Sequence, residues 1–119
     1  MLAAKKLPEV LRTALHDGID GLALMTAEGS LLCAVAVPDA AMNDTSLAAI
    51  SSSLWNNYLQ ATPAVNMHLL RLEQGTVGVI KGGSGFVLAA YGEKVSTGLL
   101  KGRLEALSQY FLRVFEQLQ

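Results

Sequence analysis

Few side chains in this sequence have the type and spacing that chemistry needs. Cys33 is the only cysteine. A thiol reacts or binds metal as the thiolate, which neighbouring cations or a helix N-terminus must draw out. Cys33 instead stands in the apolar run from Leu31 to Val37, where a cysteine reads as a small hydrophobe. His16 closes an expected helix, where a cation suits the helix dipole. His68 falls in an expected strand with no Cys, Asp or Glu beside it, and neither histidine has metal-site spacing to the other. Gly82-Gly83-Ser84-Gly85 comes nearest to a catalytic motif. A nucleophile elbow would need glycine where Phe86 stands, and a strand leading into a helix. A dinucleotide fingerprint would need its third glycine where Leu88 stands. Lys81 and Lys101 both lack the glycine pattern of a phosphate-binding loop. With no paired carboxylates either, the expectation is no catalytic residue, no cofactor and no metal site.

The informative feature is an absence. No Asp, Glu, Lys or Arg occurs between Thr45 and Leu70, although a surface helix ordinarily carries charge on its outer face. Charge depletion with an aromatic present is the composition of a protein–protein interface core. The whole chain leans the same way: 51% of its 119 residues are hydrophobic and 16% charged, against about 25% charged in typical globular composition. Net charge is −1 and the nine Lys and Arg are scattered, so no basic footprint for nucleic acid exists. A single cysteine allows no internal disulfide and fits a reducing compartment. The Asn43-Asp44-Thr45 sequon therefore reads as a helix start. Met1 to Glu9 lacks the apolar core of a signal peptide, and Leu2 excludes the N-terminal myristoylation signal. The uncharged run is broken by serines, asparagines and Pro63, which argues against a transmembrane helix. The expected chain is cytoplasmic, and reaches any membrane through partners.

The elements that must position these residues follow from periodicity. Leu7, Val10, Leu11, Ala14 and Leu15 predict a first helix, with Pro8 in its first turn and Asp17-Gly18 at its end. Ile19 to Thr26 and Leu31 to Val37 predict a hairpin turning at Gly29. Asn43 to Gln60 predicts a central helix capped by Asp44 or Thr45. One stripe is Leu47, Ile50, Leu54 and Tyr58; a second, Ala48, Ser52, Trp55 and Leu59, lies about 100° round. Val65 to Glu73, Thr76 to Lys81 and Phe86 to Tyr91 predict three further strands. A final helix starts at Ser96 or Thr97. It buries Leu100, Leu104, Leu107, Phe111, Val114 and Leu118, with Lys101, Glu105, Gln109 and Glu116 on its solvent side. Short connections favour an antiparallel sheet. The expectation is one α+β domain over residues 1–119: a five-stranded antiparallel sheet with one helix on one face and two on the other.

The second stripe of the central helix is the expected partner seam, with Trp55 as its anchor. The strand after it reads as an edge, because Val65, Met67 and Leu69 lie in a stretch without the charge or proline that usually guards one. Pairing that edge with a partner's strand would satisfy its open backbone groups.

The order helix, two strands, helix, three strands, helix resembles the roadblock (dynein light chain) family. The likeness is carried by Met1-Leu2, by Glu28 to Leu32, and by Ala48 to Tyr58 (Ala-Ala-Ile-Ser-Ser-Ser-Leu-Trp-Asn-Asn-Tyr). Gly98 to Lys101 and Ala106 to Tyr110 match as well. Within the family these stretches are most similar to Ragulator-type roadblock subunits. That resemblance implies a non-catalytic scaffold pairing through its central helix and third strand with a second roadblock-fold subunit, or with itself when purified alone. It further implies contact with Rag-type GTPases, a lipid-anchored partner that holds the pair on late endosomes and lysosomes, and a role in TOR and MAP kinase signalling. Two other functions fit the same residues: a bacterial-type roadblock protein acting on a small GTPase, and a small-ligand sensor. The sensor would need convergent polar groups within apolar walls.

Overall fold

The computed structural model describes residues 6–82 and 85–117, and of 115–117 the backbone alone. Residues 83 and 84 of the glycine-rich turn, the Met1-Leu2 match, Leu118 and the side chain of Glu116 lie outside the described residues. The first helix, α1, spans Leu7–Arg12 with Pro8 in its first turn, and is shorter than expected. Past Arg12 the backbone tightens. The Thr13 hydroxyl donates to the Val10 carbonyl at 2.6 Å, the acceptor that a further helical turn would offer to the Ala14 amide. Ala14 N–H donates to Leu11 O instead, at 3.1 Å. Asp17 and Gly18, with φ of 54° and 91°, then reverse the chain.

Strands β1 (Gly21–Thr26) and β2 (Leu31–Ala36) form the hairpin, and Gly29 takes φ 91° in its turn. Next comes helix α2 (Asp44–Leu54). Its cap is Asn43, one residue before the expected position; the Asn43 side chain accepts from Ser46 N–H at 2.8 Å. Asp44 Oδ1 accepts only from the next amide, Thr45 N–H, at 2.8 Å. Asn43→Ala should cost about 1 kcal/mol, read as a lower urea midpoint with an unchanged m-value. A cost below a few tenths would return the capping role to Asp44.

Strands β3 (Met67–Leu72), β4 (Gly75–Lys81) and β5 (Phe86–Gly92) precede the long helix α3 (Thr97–Gln117). The sheet is antiparallel throughout, in the order β2-β1-β5-β4-β3. Each face has its own core. On one, α1 and α3 pack Leu7, Leu11, Leu100, Leu104, Leu107 and Phe111 on Leu22, Leu24, Leu88 and Ala90. On the other, α2 lays Leu47 and Leu54 on Ala23, Val77, Val79 and Ala89. Strand alternation explains the division: Leu22 and Leu24 face one way, Ala23 and Met25 the other. One helix covers one face and two cover the other, as expected. In α3 the buried residues follow the expected stripe through Phe111, and Val114 is half-buried.

Candidate partner interface

Strand β3 is an edge, and its register shows which backbone groups are open. It pairs with β4 as Met67↔Ile80, His68↔Val79 and Leu69↔Gly78. One residue earlier, Lys81 N–H donates to Asn66 O at 2.8 Å, which makes that position a hydrogen-bonded pair. Bonded and non-bonded pairs alternate in an antiparallel ladder. The amides of His68 and Leu70 therefore point into the sheet, while those of Met67, Leu69 and Arg71 point outward. The expected edge residues Met67 and Leu69 are thus the ones that offer unpaired N–H and C=O groups.

Their side chains lie elsewhere. Met67 and Leu69 are half-buried against the α1 and α3 core, while Leu70 and Leu72 pack on the α2 side. The helix and strand halves of the expected seam are therefore on opposite faces of the sheet, and share only its backbone edge. Val65, just before the strand, is 38% exposed. His68 projects on the α2 side and stacks on Tyr58, with ring centroids 4.7 Å apart and planes within 8°. Tyr58 is itself 52% exposed.

This exposure corrects the expected helix stripes. After Leu54 the chain makes a π turn, Trp55–Leu59, closed by Gln60 N–H donating to Trp55 O at 2.9 Å. A wider turn advances each residue by a smaller angle than the α-helix does. Tyr58, placed on the buried stripe by a constant α-helical period, rotates out, and Leu59 rotates in. Leu59 is fully buried and Trp55 is 6% exposed, both within the α2 core. Trp55 lies under the β1–β2 turn, against Gly29, and its indole Nε1 is buried without an acceptor. The expected outward anchor thus belongs to the chain's own core. Ala48 and Ser52 are half-buried, and the Ser52 hydroxyl lies 3.8 Å from Met25 Sδ. Thr45, Ala49, Ser53, Asn56 and Asn57 are exposed. The outer face of the helix is small, polar and uncharged, leading to the Tyr58–His68 stack and then to the open edge of β3. The stack escaped the sequence reading because nothing in the residue types marks a π turn.

The remaining reactive groups are separate. Cys33 is half-buried on β2; burial pushes its thiol up, with Arg12 opposing and Asp44 adding to the rise. That shift makes the thiolate scarcer at neutral pH, opposite to an activated nucleophile. His16 Nδ1 lies 2.9 Å from Asp17 Oδ2 on an exposed turn. No group of three or more potential metal ligands occurs among the described residues. No described helix is long and apolar enough to cross a membrane.

No protein-family model matches this chain, and no curated protein matches it. Solved structures do. MglB of Myxococcus xanthus superposes with a TM-score of 0.67 at 20% identity, over 100% of this chain and 96% of that one. An MglB in a tetrameric arrangement gives 0.67 at 17% identity, over 100% and 95%. A roadblock/LC7 domain from Streptomyces avermitilis gives 0.62 at 16% identity, over 88% and 97%. The chain has the roadblock/LC7 fold.

Proposed function

We propose that this chain is a non-catalytic dimerising regulator of a small GTPase, of the bacterial roadblock type. The observation that carries the dimer is the open β3 edge, unguarded by charge up to Leu70 and continuous with an uncharged helix face. Free edges of this kind are usually blunted; here the outward groups of Met67 and Leu69 suit a partner's β3, which would extend the sheet across the seam. The short side chains of Ala48, Ala49, Ser52 and Ser53 would let a second α2 approach closely, since interaxial distance follows the side chains at the contact. The tetrameric arrangement of one MglB neighbour is in keeping with self-association. The GTPase half rests on the family resemblance. Neighbours from bacteria favour this version over the Ragulator-type one. The finer Ragulator reading, with Rag-type GTPases, a lipid-anchored subunit and late endosomes or lysosomes, draws support only from the short sequence matches.

The test is Met67→Pro. Proline deletes one outward donor and keeps the β4 ladder intact, so sedimentation should show dimers of the wild type and monomers of the variant, with an unchanged far-UV spectrum. Leu70→Pro, which removes an inward donor, should lower stability instead. A Met67→Pro variant that dimerises like the wild type would remove β3 from the seam. For the GTPase half, GTP hydrolysis by small GTPases of the same organism is measured with and without this chain. The wild type should change one of those rates, the Met67→Pro monomer should not, and the chain alone should hydrolyse no GTP. Rates unmoved for every such GTPase would overturn that half.

A further inference from the structure

On the face of the sheet away from α2, a groove of about 400 Å³ opens between α3 and the turn that follows α1. Its walls are Ala14, Ala106 and Leu107, and its polar groups are Thr13, His16, Arg103 and Tyr110. Arg103 is the unusual member. Its Nε is buried without an acceptor, and no ion pair to it exists among the described residues. A guanidinium carries five donors and no acceptor, and this one is half-buried beside the groove with no counter-charge among the described residues. No carboxylate is among the described residues that line the groove. Asp17, next in the chain to His16, is engaged with it. The Tyr110 ring stands edge-on to Phe111 and is 42% exposed at the mouth.

We propose that this groove binds a small carboxylate carried on an apolar body of about the size of a benzene ring. The carboxylate would lie end-on against the two terminal amino groups of Arg103, in the two-pronged geometry that guanidinium and carboxylate share, supplying the counter-charge that the described residues do not. The ring would rest on Ala106, Leu107 and Tyr110. The volume lies at the small end of the range for ligand pockets, roughly 300–1,000 Å³, and apolar walls with a few convergent polar groups are what such sites have. The residues that line the groove belong to neither β3 nor α2, so a ligand would occupy it with the proposed dimer seam closed. This site stands independently of the GTPase reading.

Benzoate is the probe, titrated into the full chain and followed by amide and Arg Nε–H NMR shifts. Saturable shifts clustered at residues 13–16 and 103–110 are expected, with a dissociation constant of the order of 1 mM, the range of a single small fragment. Benzamide, which keeps the ring and loses the charge, should bind at least about tenfold more weakly, since hydrogen bonds to charged groups are the strong ones. Inorganic phosphate should not compete. Arg103→Met keeps the stem and removes the donors; it should lose at least about tenfold in affinity and, because no native bond is broken, melt no lower than the wild type. Arg103→Lys keeps the charge without the fork and should fall between the two. The proposal is overturned by shifts that stay linear to about 20 mM, well above the expected constant. Equal binding by Arg103→Met or Arg103→Lys and the wild type, or phosphate binding as well as benzoate, would also overturn it.

Discussion

Trp55→Ala is expected to unfold the chain rather than to separate two copies of it. The indole is 6% exposed, in the core that α2 forms with Val77, Val79 and Ala89. Truncating a buried tryptophan to alanine costs about 3–5 kcal/mol, from lost transfer free energy and from the cavity left behind. Against a total of about 5–15 kcal/mol for a typical domain, that would leave the variant close to its threshold. The loss is one of packing, because Nε1 has no acceptor to surrender. Urea denaturation at one fixed protein concentration reads the effect; concentration must be held because association adds to apparent stability. The folded fraction should still sediment as the wild type does. A variant that melts with the wild type and sediments as a smaller species would put the indole at the seam instead.

The same residue shows where reading the sequence succeeds and where it stops. A constant period works where the backbone keeps one. In α3, Leu100, Leu104, Leu107 and Phe111 lie on the predicted stripe because the α-helix runs unbroken beneath them. The hairpin at Gly29 and the edge position of β3 were also legible, from a glycine between apolar runs and from a strand lacking guards. The π turn was not. It consists of one amide bonding a carbonyl five residues back rather than four, and Trp-Asn-Asn-Tyr-Leu has no side chain that demands it. Past Trp55 each residue turns less than the α-helical period assumes, so Tyr58 leaves the buried stripe and Leu59 enters it, while Asn56 stays on the outer face where the period puts it. The end of α1 was hidden for a similar reason: the amides of Ala14 and Leu15 bond carbonyls three residues back rather than four, and no residue type there demands it. The division of the candidate seam between the two faces of the sheet was hidden in a third way. Alternation places Met67 and Leu69 on one side of β3, but only the fold decides that α2 covers the other. Arg103 carried no signal at all, since its charge looks ordinary on a helix until its Nε is found buried.

Gly29→Ala should destabilise the chain by about 2–5 kcal/mol, combining about 1–2 kcal/mol for a side chain in the left-handed region with about 1–3 kcal/mol of overpacking. Gly29 takes φ 91°, and a Cβ there would stand 2.2 Å from Trp55 Cδ1 and 2.5 Å from Nε1. Such distances cannot persist, so either the hairpin turn or the indole must move. The indole is held from the other side by the sheet, while the turn carries the register of β1 against β2. Both routes are costly, and the two sources of cost can be separated. The backbone term belongs to Gly29 alone, whereas the overlap exists only while the indole is present. In a Trp55→Ala background, Gly29→Ala should therefore cost only the backbone part, about 1–2 kcal/mol. The difference between the two backgrounds is a coupling energy of about 1–3 kcal/mol, within the range for residues in direct contact. Because Trp55→Ala is already weak, the cycle is best measured in a stabilising osmolyte, with urea midpoints for all four proteins under the same conditions. Equal costs in the two backgrounds would mean that the turn does not rest on the indole. Trp55 would then have to be packed somewhere other than beneath Gly29.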